Sequence, residues 1–154
     1  MNYTDTKYIA HRGNLVGPSA MENHPDQIRE ALNAGFDVEV DAWIVDNKLY
    51  FGHDAPQYEV SFDIITDQFW VHCKNFEALK WHSRTSHNCF WHDTDDYTLT
   101  SKNFLWTNIG KELHYNSVMV MPELSSGDWL TNTVNAKCYG ICSDYIQKIK
   151  IARA

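Results

Sequence analysis

The stretch Phe36-Asp37-Val38-Glu39-Val40-Asp41-Ala42-Trp43-Ile44-Val45 constrains the fold more than any other part of the chain. Apolar and polar side chains alternate through its middle, which is the period of a β-strand. Glu39 and Asp41 therefore share one face, and Val38 and Val40 share the other. Two neighbouring carboxylates repel each other and resist burial. Their face either meets water, as one face of an antiparallel sheet often does, or holds a cation. For Glu-Val-Asp alone, water is the ordinary answer. The flanking His11 and His53 favour the cation, a hard divalent ion bound through oxygen.

The neighbouring sequence suggests how these groups meet. Asp46-Asn47-Lys48 is a turn signal, and Leu49-Tyr50-Phe51-Gly52 runs back as a short strand. That hairpin would bring Glu39, Asp41 and His53 to one end. Tyr8-Ile9-Ala10, read as an adjacent strand, would carry His11 to the same end. The pattern predicts a helix over residues 20–34, with Pro25 as its first helical residue, Gly35 closing it, and Ile28, Ala31 and Leu32 as its apolar stripe. Strand, helix, strand implies a parallel, right-handed βαβ unit.

Four short motifs occur in order: His11-Arg12-Gly13, Met21-Glu22-Asn23-His24, Glu39-Val40-Asp41 and His53-Asp54. In order and spacing they resemble the glycerophosphodiester phosphodiesterase family, within the phosphatidylinositol-phospholipase-C-like superfamily. The family's Pro-Glu-Asn-Thr is replaced at its first and last positions by Met21 and His24. The resemblance covers about the first third of the chain. It implies a reduced TIM-type (β/α) barrel with several helices shortened or missing, and a site at the C-terminal ends of its strands. It also implies a phosphoric diester hydrolase holding one divalent cation, Mg²⁺ or Ca²⁺, on Glu39 and Asp41, with His11 and His53 as acid and base. Arg12 and Lys74 would bind the phosphate, and Glu22 would contact the ion or a substrate hydroxyl. The substrate expected is a glycerophosphodiester or a similar small phosphodiester.

Phe69-Trp70-Val71-His72-Cys73-Lys74 is a further strand that places His72 and Lys74 on one face. In the family that the motifs resemble, a carboxylate often stands at the position of His72. Histidine can ligate, but it favours softer ions, so Mn²⁺ or Zn²⁺ also become candidates. Three roles are open to His72: a metal ligand, a substrate-binding group, or a spacer left after loss of activity. Later strands end in His92, Glu123 and Asp144, positions from which functional groups can face a pocket. The runs 88–93, 104–108, 117–123 and 140–145 lie too close together for a helix in every connection, since a crossover with its helix takes at least ~10–12 residues. Helices are expected after the first and third strands, with a short one within 124–135 and another near the C-terminus.

The chain of 154 residues is long enough for one domain with a real core. A net charge of -7 and the lack of a basic run argue against a nucleic-acid groove. No apolar run is long enough for a transmembrane helix, and Met1 to Lys7 lacks the apolar core of a signal peptide. A cytoplasmic protein follows, with Cys73, Cys89, Cys138 and Cys142 reduced and mostly buried. Strand faces left bare by missing helices would suit a homodimer. Two other functional classes remain open. One is a barrel that binds phosphorylated head groups or sugars without turnover. The other is a zinc or manganese hydrolase for a different substrate.

Overall fold

The computed structural model describes residues 5–154; residues 1–4, part of the stretch read for a leader, lie outside the described residues. Strands are β1 (Lys7–His11), β2 (Asp37–Val45), β3 (Lys48–Phe51), β4 (Tyr58–Val60), β5 (Phe69–Cys73), β6 (Asn88–Phe90), β7 (Tyr97–Leu99), β8 (Leu105–Thr107), β9 (Ser117–Val120) and β10 (Gly140–Ser143). Helices are α1 (Pro25–Asn33), α2 (Phe76–His82), α3 (Trp129–Asn135) and α4 (Ile146–Ala152). No helix among the described residues is long and apolar enough to cross a membrane.

The expected reduced TIM-type (β/α) barrel is not what forms. The chain builds a mixed sheet of ten strands, curled into a half-barrel and backed by four short helices. A parallel ladder runs β6-β5-β2-β1-β10-β9-β8. The hairpin β3-β4 adds antiparallel to the far half of β2, and β7 adds antiparallel to β8. Among the described residues no ladder joins β6 to β8. Connection length is the reason. Residues 91–96 and 100–104 hold no helix, and 108–116 join two parallel strands with none either, so this side lacks alternating cover.

Aromatic side chains fill the open seam. Phe90 of β6 and Trp106 of β8 lie 4.5 Å apart between ring centres, and Trp70 of β5 is 6.0 Å from Trp106. With Ile9, Val118 and Cys142 they make a buried cluster on the concave face. Ser101 ties the β7-β8 hairpin to β6: its amide donates to Cys89 O at 2.9 Å and its Oγ accepts from Cys89 N at 2.9 Å. The second and larger core lies on the convex face. Val38, Val40 and Ala42 of β2 pack there with Ile28 and Ala31 of α1 and with Ile146 and Ile149 of α4.

Local signals in the first third hold. His24 caps α1 by accepting from Asp26 N through Nδ1, Pro25 opens the helix, and Gly35 leaves it at φ 88°. The helix is shorter than the predicted 20–34. Residues 20–24 instead form turns that carry Asn23 to Asp41 of β2 and Glu22 to Arg12. Two short strands lie in connecting segments: β4 ends at Val60 before a 3₁₀ turn at Phe62–Ile64, and β7 precedes the turn that leads into β8. All four cysteines are free and buried.

Candidate metal and acid–base site

β2 is central because three strands pair with it, and its alternation puts Glu39 and Asp41 inward at the C-terminal end of the parallel ladder. The reading in which their face meets water is overturned: each carboxylate is 1% exposed. β1 ends at His11, in register with Glu39, and β5 places His72 opposite Asp41. His11, Glu39, Asp41 and His72 thus come together from three adjacent parallel strands.

The two carboxylates differ in their partners. Asp41 Oδ2 accepts from Asn23 Nδ2 at 2.9 Å, and its backbone N–H donates to Asn23 Oδ1 at 3.0 Å. Arg12 Nε lies 3.2 Å from Asp41 Oδ2, and His72 Nδ1 lies 3.1 Å from Asp41 Oδ1. Burial alone would raise the Asp41 pKa, but His72, Asn23 and Arg12 together hold it down at about 2. Neither oxygen of Glu39 has a hydrogen-bond partner among the described residues. Burial, reinforced by the Asp41 charge, pushes Glu39 up to about 7. Its nearest cation is His11, with Nε2 3.4 Å from Oε2.

Both histidines are oriented from behind. His72 Nε2 faces the carbonyl of His92 at 2.9 Å, which fixes a proton there and leaves Nδ1 turned towards Asp41. His11 Nδ1 lies 2.7 Å from Asp144 Oδ1. Asp144 also accepts from Asn14 Nδ2 at 2.9 Å, and its backbone N–H donates to Glu123 Oε1 at 2.9 Å. Burial opposes the charged form of both rings, yet the carboxylates around them win and both pKa values rise. Arg12 reaches this centre from a left-handed backbone at φ 54°, followed by Gly13 at φ 80°. Strain of this kind concentrates where a side chain must be aimed.

Glu39, Asp41 and His72 each offer one ligand atom, all within 4.8 Å of one another. The set suits a divalent ion on two counts. The orphaned oxygens of Glu39 demand a partner at the cost of a buried, unsatisfied charge. The His72 ring has its second nitrogen donating to a backbone carbonyl, as metal-bound histidines usually do. Two carboxylates and one imidazole accommodate Mn²⁺ or Zn²⁺ as well as Mg²⁺.

The remaining predicted residues are placed differently. Glu22 accepts from Arg12 Nη1 at 3.2 Å and from Asn14 Nδ2, so it clamps Arg12 instead of facing Glu39. Lys74 follows the end of β5, where its backbone N–H donates to the Ala42 carbonyl at 2.9 Å; it does not line the cleft that holds Arg12 and His53, and its side chain has no ion-pair partner among the described residues. His53 stands apart. Its side chain is 43% exposed and paired with Asp54 at 2.7 Å. The turn before it needs Gly52, because a Cβ there would sit 2.0 Å from the Ala55 carbonyl. His53 lines a cleft of about 340 Å³ with Arg12, Glu22 and Asn23, beside the buried cluster. Asn14 and Asn23, which hold the carboxylates, were absent from the predicted set. Asn23 sits inside the quoted Glu22-Asn23 motif, whereas nothing local marks Asn14. No family model matches the chain, and neither a curated protein nor a solved structure matches it.

Proposed function

We propose that the protein is a metal-dependent phosphodiester hydrolase acting on a glycerophosphodiester or similar small phosphodiester. The observation that carries this reading is the pairing of an orphaned, buried Glu39 with a His11 ring oriented by Asp144. A core interaction would not leave a carboxylate unpartnered, and simple anion binding would not need an aligned histidine–carboxylate pair.

A divalent ion held by Glu39, Asp41 and His72 would offset charge on the phosphoryl oxygens and stabilise the transition state. Arg12, kept in place by Glu22 and Asp41, offers part of its guanidinium to the phosphate, and Lys74 adds a second positive charge. His11 moves a proton at Nε2, since Nδ1 is committed to Asp144. His53, on the rim of the cleft, serves the opposite end of the scissile bond as the second proton carrier. The nucleophile is water or a neighbouring substrate hydroxyl.

The test is hydrolysis of glycerophosphocholine and bis-p-nitrophenyl phosphate by metal-stripped protein, with single ions restored and His11→Ala as control. Turnover that needs an ion and disappears in the variant supports the proposal; ion-independent or His11-independent turnover overturns it. The exposure of His53 motivates a second reading, in which the half-barrel binds phosphorylated head groups without cleaving them. Folded protein that binds glycerol 3-phosphate but cleaves neither ester would favour that second reading.

A further inference from the structure

The half-barrel has a second mouth, at the N-terminal ends of the parallel strands. A pocket of about 230 Å³ opens there, on the far side of the Trp70–Phe90–Trp106 layer from Glu39. Its aromatic lining is Trp70, Phe104 and Tyr139. Phe104 and Tyr139 stack at 4.1 Å, and Trp70 lies 5.3 Å from Phe104. Polar groups of both kinds surround these rings. Lys7 and Lys102 line the pocket beside Asp37 and Asp67, and the Lys7 charge acts on Asp37. Asp37 Oδ2 accepts from Trp70 Nε1 at 3.1 Å. The Oδ1 of Asn88 is buried with no hydrogen-bond partner among the described residues.

These features restrict the guest. An apolar molecule would strip water from Gln68, Ser86 and Asn88 without replacing it, which costs about 1–3 kcal/mol for each polar group left unpaired. A simple anion would meet Asp37 and Asp67, and a simple cation would meet both lysines. A guest with hydroxyls, each donor and acceptor at once, answers a lining of mixed sign. A ring with apolar C–H faces answers the aromatic wall. The volume is below the ~300–1,000 Å³ of pockets for drug-sized ligands, so one ring fits and a chain of them does not. We propose that this mouth is a binding site for a neutral, monosaccharide-sized polyol. The site is independent of the phosphodiester reading.

The test is titration of ¹⁵N-labelled full-length protein with D-glucose, D-ribose and myo-inositol in turn, with inorganic phosphate and glycine betaine as charged controls. The expected result is saturable shift changes at Gln68, Asn88 and Tyr139 with at least one polyol and none at His11 or His72. Asn88→Leu should weaken binding at least about tenfold. Its spectrum should stay dispersed, because the change removes an unsatisfied acceptor. Asn88→Asp, which keeps an acceptor, should retain binding. No saturable change with any of the three polyols, tighter binding of phosphate or betaine, or unaltered affinity in folded Asn88→Leu would each overturn the assignment.

Discussion

Glu39→Gln should stabilise the metal-free protein at alkaline pH while abolishing its response to divalent ions. The charge of Glu39 is buried, unpartnered and beside Asp41, so its carboxyl is pushed from 4.5 to about 7. A folded-state pKa above the unfolded one means that the folded protein binds more protons between these values. Stability from this group is complete below pH 4.5 and is lost as pH rises through 7. At about 1.4 kcal/mol per pH unit, the loss is about 3 kcal/mol. Glutamine does not titrate, so it removes that loss, offset by about 1–3 kcal/mol for an unsatisfied buried amide. The net gain at pH 8 is small, but the change in the difference between wild type and variant from pH 4 to pH 8 remains about 3 kcal/mol. Urea unfolding of metal-stripped protein across this range measures it. Parallel stability profiles for the two proteins would refute the reasoning, because Glu39 would then be paired or solvated. A divalent ion should stabilise wild type in proportion to the logarithm of its concentration and leave Glu39→Gln unchanged.

Other consequences are equally open to measurement. Asp144→Asn should keep the fold, checked by circular dichroism, and lower kcat by about 10²–10⁴, the usual worth of a positioned proton carrier, because the amide lacks the charge that supports the His11 imidazolium and its NH₂ can face Nδ1 and reverse the tautomer. His53→Ala should abolish turnover with unchanged unfolding; retained turnover in the purified variant would remove His53 from the mechanism. His82 is fully buried, and burial, with the neighbouring His87, depresses its pKa to about 4. Its contribution is present above pH 6.5 and lost as pH falls towards 4, by about 3 kcal/mol. This slope opposes that of Glu39, so His82→Leu is best compared in the Glu39→Gln background, where it should flatten the acid-side loss. Arg153 Nη1 donates to the carbonyls of Thr133, Val134 and Ala136 at the end of α3. Arg153→Ala should cost about 2–3 kcal/mol in urea unfolding, since hydrogen bonds from a charged donor are the strong ones.

Local chemistry was legible where short-range rules decide. The alternation around Glu39 gave β2 and its inward face, and Pro25 and Gly35 marked the start and end of α1, although the predicted span began five residues early at Ala20. Alternation also put His72 on one face of β5, but its place opposite Asp41 depends on the β2–β5 register, which no single strand encodes. Closure was not legible. Whether seven parallel strands seal into a barrel depends on contacts between Phe90, Trp106 and Ser101, which are remote in pattern and carry no period. Asn14 and Asp144 were obscure for a related reason. They lie 130 residues apart in sequence, and only the β1–β10 pairing brings them to the same ring. His53 shows the converse: its motif is intact, but a tight loop at Gly52 leaves it on the rim.

The most direct test is a titration of metal-stripped protein with Mn²⁺, reading free ion by electron paramagnetic resonance and hydrolysis of bis-p-nitrophenyl phosphate in the same samples. If Glu39, Asp41 and His72 hold the ion on which cleavage depends, one Mn²⁺ binds per chain and the rate rises in proportion to occupancy. Both responses should vanish together in Asp41→Asn. Full occupancy without turnover, or turnover that precedes occupancy, would contradict the account.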